Sequence, residues 1–291
     1  MPTDLSAAAI AWYDGHARDL PWRHPCAGAW AVLVSEIMLQ QTPVARVLPA
    51  YDAWLARWPD AESLAKDSAG EAVRMWGRLG YPRRALRLHA CATAIVERYG
   101  GAVPRDVDAL LDLPGVGEYT ARAIAAFAYR QRQPVVDTNV RRLLARAVAG
   151  AGQPGLAATA SDRELAESLL PADPESAARA SVAFMELGAL ICTARSPGCL
   201  RCPLRGACRW HRAGCPEHTG PRRRPQRYAG TDRQVRGLLL AVIRESDRPV
   251  PMSRLDAVWP DRTQRLRALD GLVADGLAAP AGESEYGLPG T

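Results

Sequence analysis

Apolar residues recur at three- and four-residue spacing along most of the chain. AWLARW, GEAVRMWGRLG, RALRLHACATAIVERYG, YTARAIAAFAYRQ, NVRRLLARAVAG and RELAESLL each gather them on one helical face. Strand-like alternation is nearly absent before residue 230. Pro59, Pro82, Pro104, Pro114 and Pro134 punctuate short loops between the helical segments. The pattern predicts an all-α body of many short helices.

One segment departs from the amphipathic pattern. In AWAVLVSEIMLQQTPV the residues Val32, Leu33, Val34, Ile37, Met38 and Leu39 cover nearly the whole helical wheel. A helix apolar all round is buried, so Glu36 has little room on a solvent face. Its carboxylate must then be hydrogen-bonded or protonated, and desolvation is expected to raise its pKa. A protonated Glu can act as a general acid. A buried structural Glu paired with an Arg is the alternative, which leaves Gln40, Gln41 and Thr42 directly behind it unexplained.

Residues 213–230 shift to Pro, Gly and Arg and read as a linker. Its Arg222-Arg223-Arg224 run is either a phosphate contact or a solvated connector. Beyond it, VRGLLLAVIRES, MSRLDAVW and RTQRLRALDGLVADGL predict three helices, followed by a hairpin in AAPAGESEYGLP. That order is winged-helix-like and defines a small module over 231–291.

The composition, 48% hydrophobic and 23% charged in 291 residues, suits a globular protein with a sizeable core. No apolar run approaches the ~20 residues of a membrane span. The N-terminus resembles neither an export signal nor a transit peptide, so a cytoplasmic protein without a membrane partner is expected. A net charge of +6, carried almost entirely by Arg, favours a polyanionic partner.

Seven cysteines do not read as a disulfide framework in such a chain. Cys192, Cys199, Cys202 and Cys208 crowd into a C-x6-C-x2-C-x5-C loop, whereas the other three are scattered. Four thiolates at this density imply a metal centre. Structural zinc usually draws two close pairs, so the uneven gaps favour an iron–sulfur cubane over zinc. Arg195, Arg201, Arg205 and Arg209 in or beside the loop suit a role in holding it against a phosphate backbone.

The segment LDLPGVGEYTARAIAAFAY frames Leu-Pro-Gly-Val-Gly with two apolar helical stretches. Gly115 and Gly117 permit positive φ and let amides face outward toward a phosphate. VVDTNV follows some twenty residues later. There Asp137 begins a helix, where it can serve as an N-cap, as a preorganised carboxylate, or as both.

LPWR (20–23), SEIMLQQT (35–42), GRLGY (77–81), LPGVGEYTA (113–121), VVDTNVRR (135–142), MELGALICT (185–193) and the four cysteines together resemble one family. It is the helix-hairpin-helix, Gly/Pro-Asp DNA glycosylase superfamily, and the best match within it is the MutY-type adenine DNA glycosylases. The resemblance covers about residues 10 to 212. It implies a two-lobed glycosylase domain over 1–212, with a six-helix barrel lobe at about 23–130. The cluster lobe would join the N-terminal segment to about 131–212. It also implies a 4Fe-4S cluster on Cys192, Cys199, Cys202 and Cys208, and base flipping from a duplex containing A:8-oxoguanine or A:G mispairs.

By resemblance, Glu36 is the general acid that protonates adenine N7, and Asp137 stabilises the oxocarbenium-like sugar, directly or through a covalent adduct. Tyr119 and Asn139 align with supporting active-site groups. Trp22, Arg23 and Glu186 align with the adenine pocket, and Gln41 and Tyr81 with residues wedged into the DNA stack. The endonuclease III branch carries a Lys where GEYTA has Tyr119, and Lys66 is the only lysine here, so a monofunctional enzyme is implied. The alternatives are a thymine- or uracil-mismatch glycosylase of the same superfamily and an inactive cluster-bearing DNA-binding protein. A nucleoid-associated monomer is expected, with mismatch-repair and sliding-clamp proteins as candidate partners.

Two departures stand out. Relatives of this type usually carry a longer, nucleotide-hydrolase-like C-terminal domain that reads 8-oxoguanine. Residues 231–291 instead read as the winged-helix-like module, which either contacts the opposite strand by another route or adds affinity. Thr138 also stands where many relatives have Gly, restricting the backbone beside Asp137.

Overall fold

A computed structural model describes residues 4–217 and 228–290. In chain order the helices are α1 (Leu5–His16), α2 (Ala29–Leu39), α3 (Val44–Arg57), α4 (Ala61–Lys66), α5 (Ala69–Trp76) and α6 (Arg83–Tyr99). There follow α7 (Val107–Leu111), α8 (Glu118–Phe127), α9 (Thr138–Leu144), α10 (Ala160–Ser168), α11 (Pro174–Leu190) and α12 (Arg209–Arg212). The last are α13 (Asp232–Arg244), α14 (Met252–Asp256) and α15 (Arg262–Ala274). The predominantly helical fold follows the expected pattern. None of the described helices is long and apolar enough to cross a membrane.

The chain forms two compact units. One comprises Met1–Val32, Arg105–Leu111 and Gly117–Arg222; the other comprises Leu33–Pro104, Asp112–Val116 and Arg223–Thr291. Arg222, Arg223 and Arg224, the run expected in the linker, lie outside the described residues.

In the first unit α11 is the central element. Asp173 caps it by accepting from the Ser176 amide at 2.8 Å, and Pro174 occupies the first turn, where its missing N–H costs nothing. Its buried face is built from Ala177, Ala180, Ala183, Phe184 and Leu187, which pack with Ala9 and with Val140, Leu143 and Leu144 of α9. Small residues let these helices approach closely. Gly188 is the extreme case, because a Cβ there would stand 2.6 Å from the Asn139 carbonyl oxygen. After α9 the chain widens into a π-turn over Ala145–Ala149 and ends at Gly150 in the left-handed region.

In the second unit Trp54, Trp58 and Trp76 form an edge-on aromatic centre, with ring centroids 4.6 Å and 5.6 Å from Trp54. Around it lie buried Leu33, Ile37, Met38, Leu64, Leu88 and Ile95. A capping box joining Asp60 and Ser63 starts α4, and α6 runs seventeen residues to a stop at Gly100, φ 59°.

Residues from 231 onward belong to this second unit. Their three helices stand where the periodicity placed them, and the hairpin expected in AAPAGESEYGLP is β2 (Ala279–Pro280) paired with β3 (Glu285–Gly287). The sequence did not reveal β1 (Val250–Pro251), which adds antiparallel to β3 and completes the order β1-β3-β2. Two residues between helices are too few for alternation to register.

Candidate active site

Glu36 lies on α2 and is 4% exposed, flanked by fully buried Ser35 and nearly fully buried Ile37 and Met38. The helix is apolar around its circumference, as its pattern required.

At the end of α2 stands a residue that sequence reasoning missed. The buried Arg84 guanidinium donates from Nη1 to the carbonyls of Ile37 (3.0 Å), Met38 (2.8 Å) and Gln40 (2.5 Å). From Nη2 it reaches the Thr42 hydroxyl (2.8 Å) and the Gly80 carbonyl (2.9 Å). It thus satisfies carbonyls orphaned at a helix C-terminus, where a cation is also favoured by the helix dipole. Burial pushes its pKa down to about 10. No local signal marks this Arg, since its partners lie more than forty residues away or across a turn.

Arg84 joins the turns that carry Gln41 and Tyr81. Both residues sit in the left-handed region, at φ 57° and 47°, which is costly for non-glycine residues and unusual for Tyr. Tyr81 is 44% exposed. Gly115, in the same unit, has φ 81°, and a Cβ there would meet the Arg87 side chain at 2.8 Å, so the hairpin needs glycine at this point for two reasons. Gly117 does not use the positive φ expected of it: it is extended, φ −110°, because it directly precedes α8 as its N-cap.

In the first unit Asp137 caps α9. Its Oδ1 accepts from the amides of Asn139 (2.8 Å) and Val140 (2.7 Å), and its Oδ2 accepts from Asn139 Nδ2 (2.6 Å). Burial raises its pKa, opposed by these hydrogen bonds and by Arg142. The carboxylate is a cap, and three donors immobilise it. Tyr119 of α8 packs against Ala123, Ala126, Val135 and Ala178, with its hydroxyl 4.0 Å from Met185 Sδ.

Glu186 is fully buried on α11. Its carboxylate accepts from Arg18 Nε and Nη2, both at 2.7 Å, and from Arg23 Nη2 at 2.8 Å. Burial alone would raise its pKa; the two guanidiniums overcome this and hold it at about 2. Arg23 Nη1 is buried with no hydrogen-bond partner, which leaves a donor for an incoming acceptor. Trp22 is buried beside it in the chain. Arg18 escaped sequence reasoning because an Arg in ARDLPWR looks like solvent-facing loop.

Cys192, Cys199, Cys202 and Cys208 line a single cavity of about 360 Å³ of empty space, part of it open to solvent. Leu143, Ala147, Ile191, Leu204 and Trp210 supply its apolar walls. Burial and neighbouring thiols push Cys199 and Cys208 up, and Cys202 to about 11. Bringing four thiolates into this space therefore calls for positive charge between them. Among the described residues no three His, Cys, Asp or Glu side chains converge on a point suited to one metal ion.

The helix that presents Asp137 also reaches this loop. Arg142 donates to the Cys192 carbonyl (2.6 Å), the Gly188 carbonyl (2.6 Å) and Asn139 Oδ1 (2.8 Å). One turn on, Arg146 contacts Cys192 Sγ at 3.4 Å and the Thr193 carbonyl at 2.7 Å, and lies over the Trp210 ring. Asn139 and Arg142 lie one turn apart on α9 and Arg146 on the π-turn that continues it, so the loop and the aspartate are tied to one continuous helical segment.

The chain matches the HhH-GPD superfamily of base excision DNA repair proteins over residues 34–168. It is 55% identical to an adenine DNA glycosylase of Mycolicibacterium smegmatis, across 97% of this chain and 94% of the relative. A Mycobacterium tuberculosis adenine DNA glycosylase is 52% identical over 97% of this chain and 92% of its own length. A thermostable thymine-DNA glycosylase of known structure superposes with a TM-score of 0.66 at 29% identity, covering 72% of this chain and 95% of that one. The chain belongs to the HhH-GPD superfamily, in its adenine DNA glycosylase branch.

Proposed function

We propose that the protein removes adenine mispaired with 8-oxoguanine or guanine in duplex DNA, with Glu36 as general acid and Asp137 as the carboxylate facing the sugar. The observation that carries this reading is the Asp137 carboxylate, pinned by three donors at the start of α9 within the motif VVDTNVRR. A group held this way needs no reorganisation as positive charge develops at C1′. Glu36, 4% exposed on an apolar helix, has the surroundings of a proton donor. It delivers its proton to adenine N7 as the N9–C1′ bond breaks; the electron pair leaves with the base, water supplies the hydroxyl that ends on C1′, and the proton that water gives up replaces the one Glu36 lost.

The buried Glu186–Arg23 pair, with its remaining Arg23 donor, suits recognition of the acceptor edge of a purine. Tyr119 and Asn139 support the Asp137 side of the site. Strand cleavage through a Schiff base lacks its amine, because Lys66 is an exposed residue of α4 paired with Glu62 at 2.7 Å. A 4Fe-4S cluster on Cys192, Cys199, Cys202 and Cys208 would supply the positive iron core that the crowded thiolates require. Arg142 and Arg146 then bind the loop to α9. We also read the glycosylase domain as 1–212 and the protein as a nucleoid-associated monomer.

The test is single-turnover base release on duplexes containing A opposite 8-oxoguanine, A opposite G, T opposite G and U opposite G, each with and without alkali. Adenine release that needs alkali for strand scission supports the reading. Release of thymine or uracil with adenine untouched would move the protein to the mismatch branch.

A further inference from the structure

We propose that Arg233, in the C-terminal module, is a positioning residue for Tyr81, so that residues 231–291 act as a brace for an aromatic wedge. The proposal rests on the reading of the protein as a duplex-engaging glycosylase. The Arg233 guanidinium lies 5.0 Å from the centroid of the Tyr81 ring and 5.6 Å from that of Tyr228. Arg84 lies 5.7 Å from the same Tyr81 ring. Two cations therefore approach the Tyr81 ring, Arg84 from α6 and Arg233 from the module.

Further contacts tie the turn that carries Tyr81 to α5 and to the module. The turn 77–81 is gripped from both sides. Trp76 Nε1 donates to the Gly80 carbonyl at 3.0 Å, and Arg244 of α13 donates to the Gly77 carbonyl. Arg74 of α5 in turn donates to the carbonyls of Arg244 and Ser246. The Gly70 amide donates to the Pro289 carbonyl at 2.8 Å, and Arg83 pairs with Asp275 at 3.3 Å. The start of α13, which carries Arg233, is fixed by the Gln234 side chain accepting from the Gly230 amide at 2.7 Å and by Gln264 donating to the Gly230 carbonyl at 3.0 Å.

An exposed Tyr with φ 47° is a strained presentation of an aromatic face, and strain of this kind persists only where the surroundings over-determine it. Exposed aromatics beside arginines are what a stacked base and its phosphates use. Tyr228, 53% exposed, is a second ring within reach of the same Arg233 guanidinium.

A double-mutant cycle on the full chain tests the coupling, using Arg233→Ala, Tyr81→Ala and the double variant, with Arg233→Lys as the conservative control. The probe is a duplex with adenine opposite guanine and 2-aminopurine beside the mispair, whose fluorescence reports unstacking. An exposed cation–π contact predicts that Arg233→Ala weakens duplex binding and lowers the 2-aminopurine response about two- to fivefold. Arg233→Lys should recover part of this, and Arg233→Ala should add nothing in the Tyr81→Ala background. Additive effects would make Arg233 an independent phosphate contact and overturn the proposal, as would an unchanged response. Both probes read DNA engagement, whereas wild-type adenine release reads the enzymatic assignment, so the two can fail separately.

Discussion

Gly188 of α11 lies so close to the backbone of Asn139 that a single added methyl would stand 2.6 Å from its carbonyl oxygen and 2.8 Å from its Cβ. Asn139 is the residue whose amide and side chain both hold the Asp137 carboxylate. The Gly in MELGA is thus the floor on which the aspartate is mounted. Gly188→Ala should destabilise the protein by about 1–3 kcal/mol through overpacking. It should also slow single-turnover excision by at least about tenfold, since small displacements of a reacting group are costly. A normal rate at lowered thermal stability would separate the packing role from the catalytic one and count against this account.

Glu36→Gln keeps the shape of the side chain and replaces its carboxyl group with an amide that cannot act as an acid. Adenine release should fall by about two to four orders of magnitude, the range of general acid catalysis. Duplex affinity, measured by fluorescence anisotropy, should be nearly unchanged. Loss of binding or of folding instead would make Glu36 a structural residue.

Cys199→Ser removes one of four thiols around the cavity. The purified variant should lose the visible absorbance of an iron–sulfur centre. Because Arg142 and Arg146 link the loop to α9, excision and thermal stability should fall together. An unchanged visible spectrum would argue against a cluster at this loop.

Asp137 and Glu186 respond to pH in opposite senses. Glu186 is depressed from 4.5 to about 2, so its pairing with Arg18 and Arg23 stabilises the fold fully above 4.5 and is lost as pH falls toward 2. That linkage amounts to something on the order of 3 kcal/mol. Urea melts of wild type and Glu186→Gln should converge across this window, and parallel curves would refute it. Asp137 is raised above 3.8, so burial makes its charge costly at neutral pH and it takes up a proton earlier on acidification. Excision should accordingly lose activity on an acid limb whose midpoint lies above 3.8, while the Glu186 pair is still ionised. A limb below that value would contradict the burial of Asp137.

Local chemistry determined much of this protein from the sequence alone. Helical periodicity marked the elements. The all-apolar wheel of α2 required Glu36 to be buried, and Asp137 at a helix start could be read as a cap because capping involves only neighbours two and three residues on. The density of cysteines in 192–208 is likewise a property of one short segment. Tertiary structure decided whatever depends on residues distant in the chain. Arg84 serves the carbonyls behind Glu36 from forty-odd residues away, Arg18 completes the charge of Glu186 across 168 positions, and Arg233 reaches the ring of Tyr81 from the module. An arginine in a sequence is a mobile, usually solvated cation. Only folding determines which carbonyls, carboxylates and rings surround it, and hence whether it is solvent-facing or holds a site together.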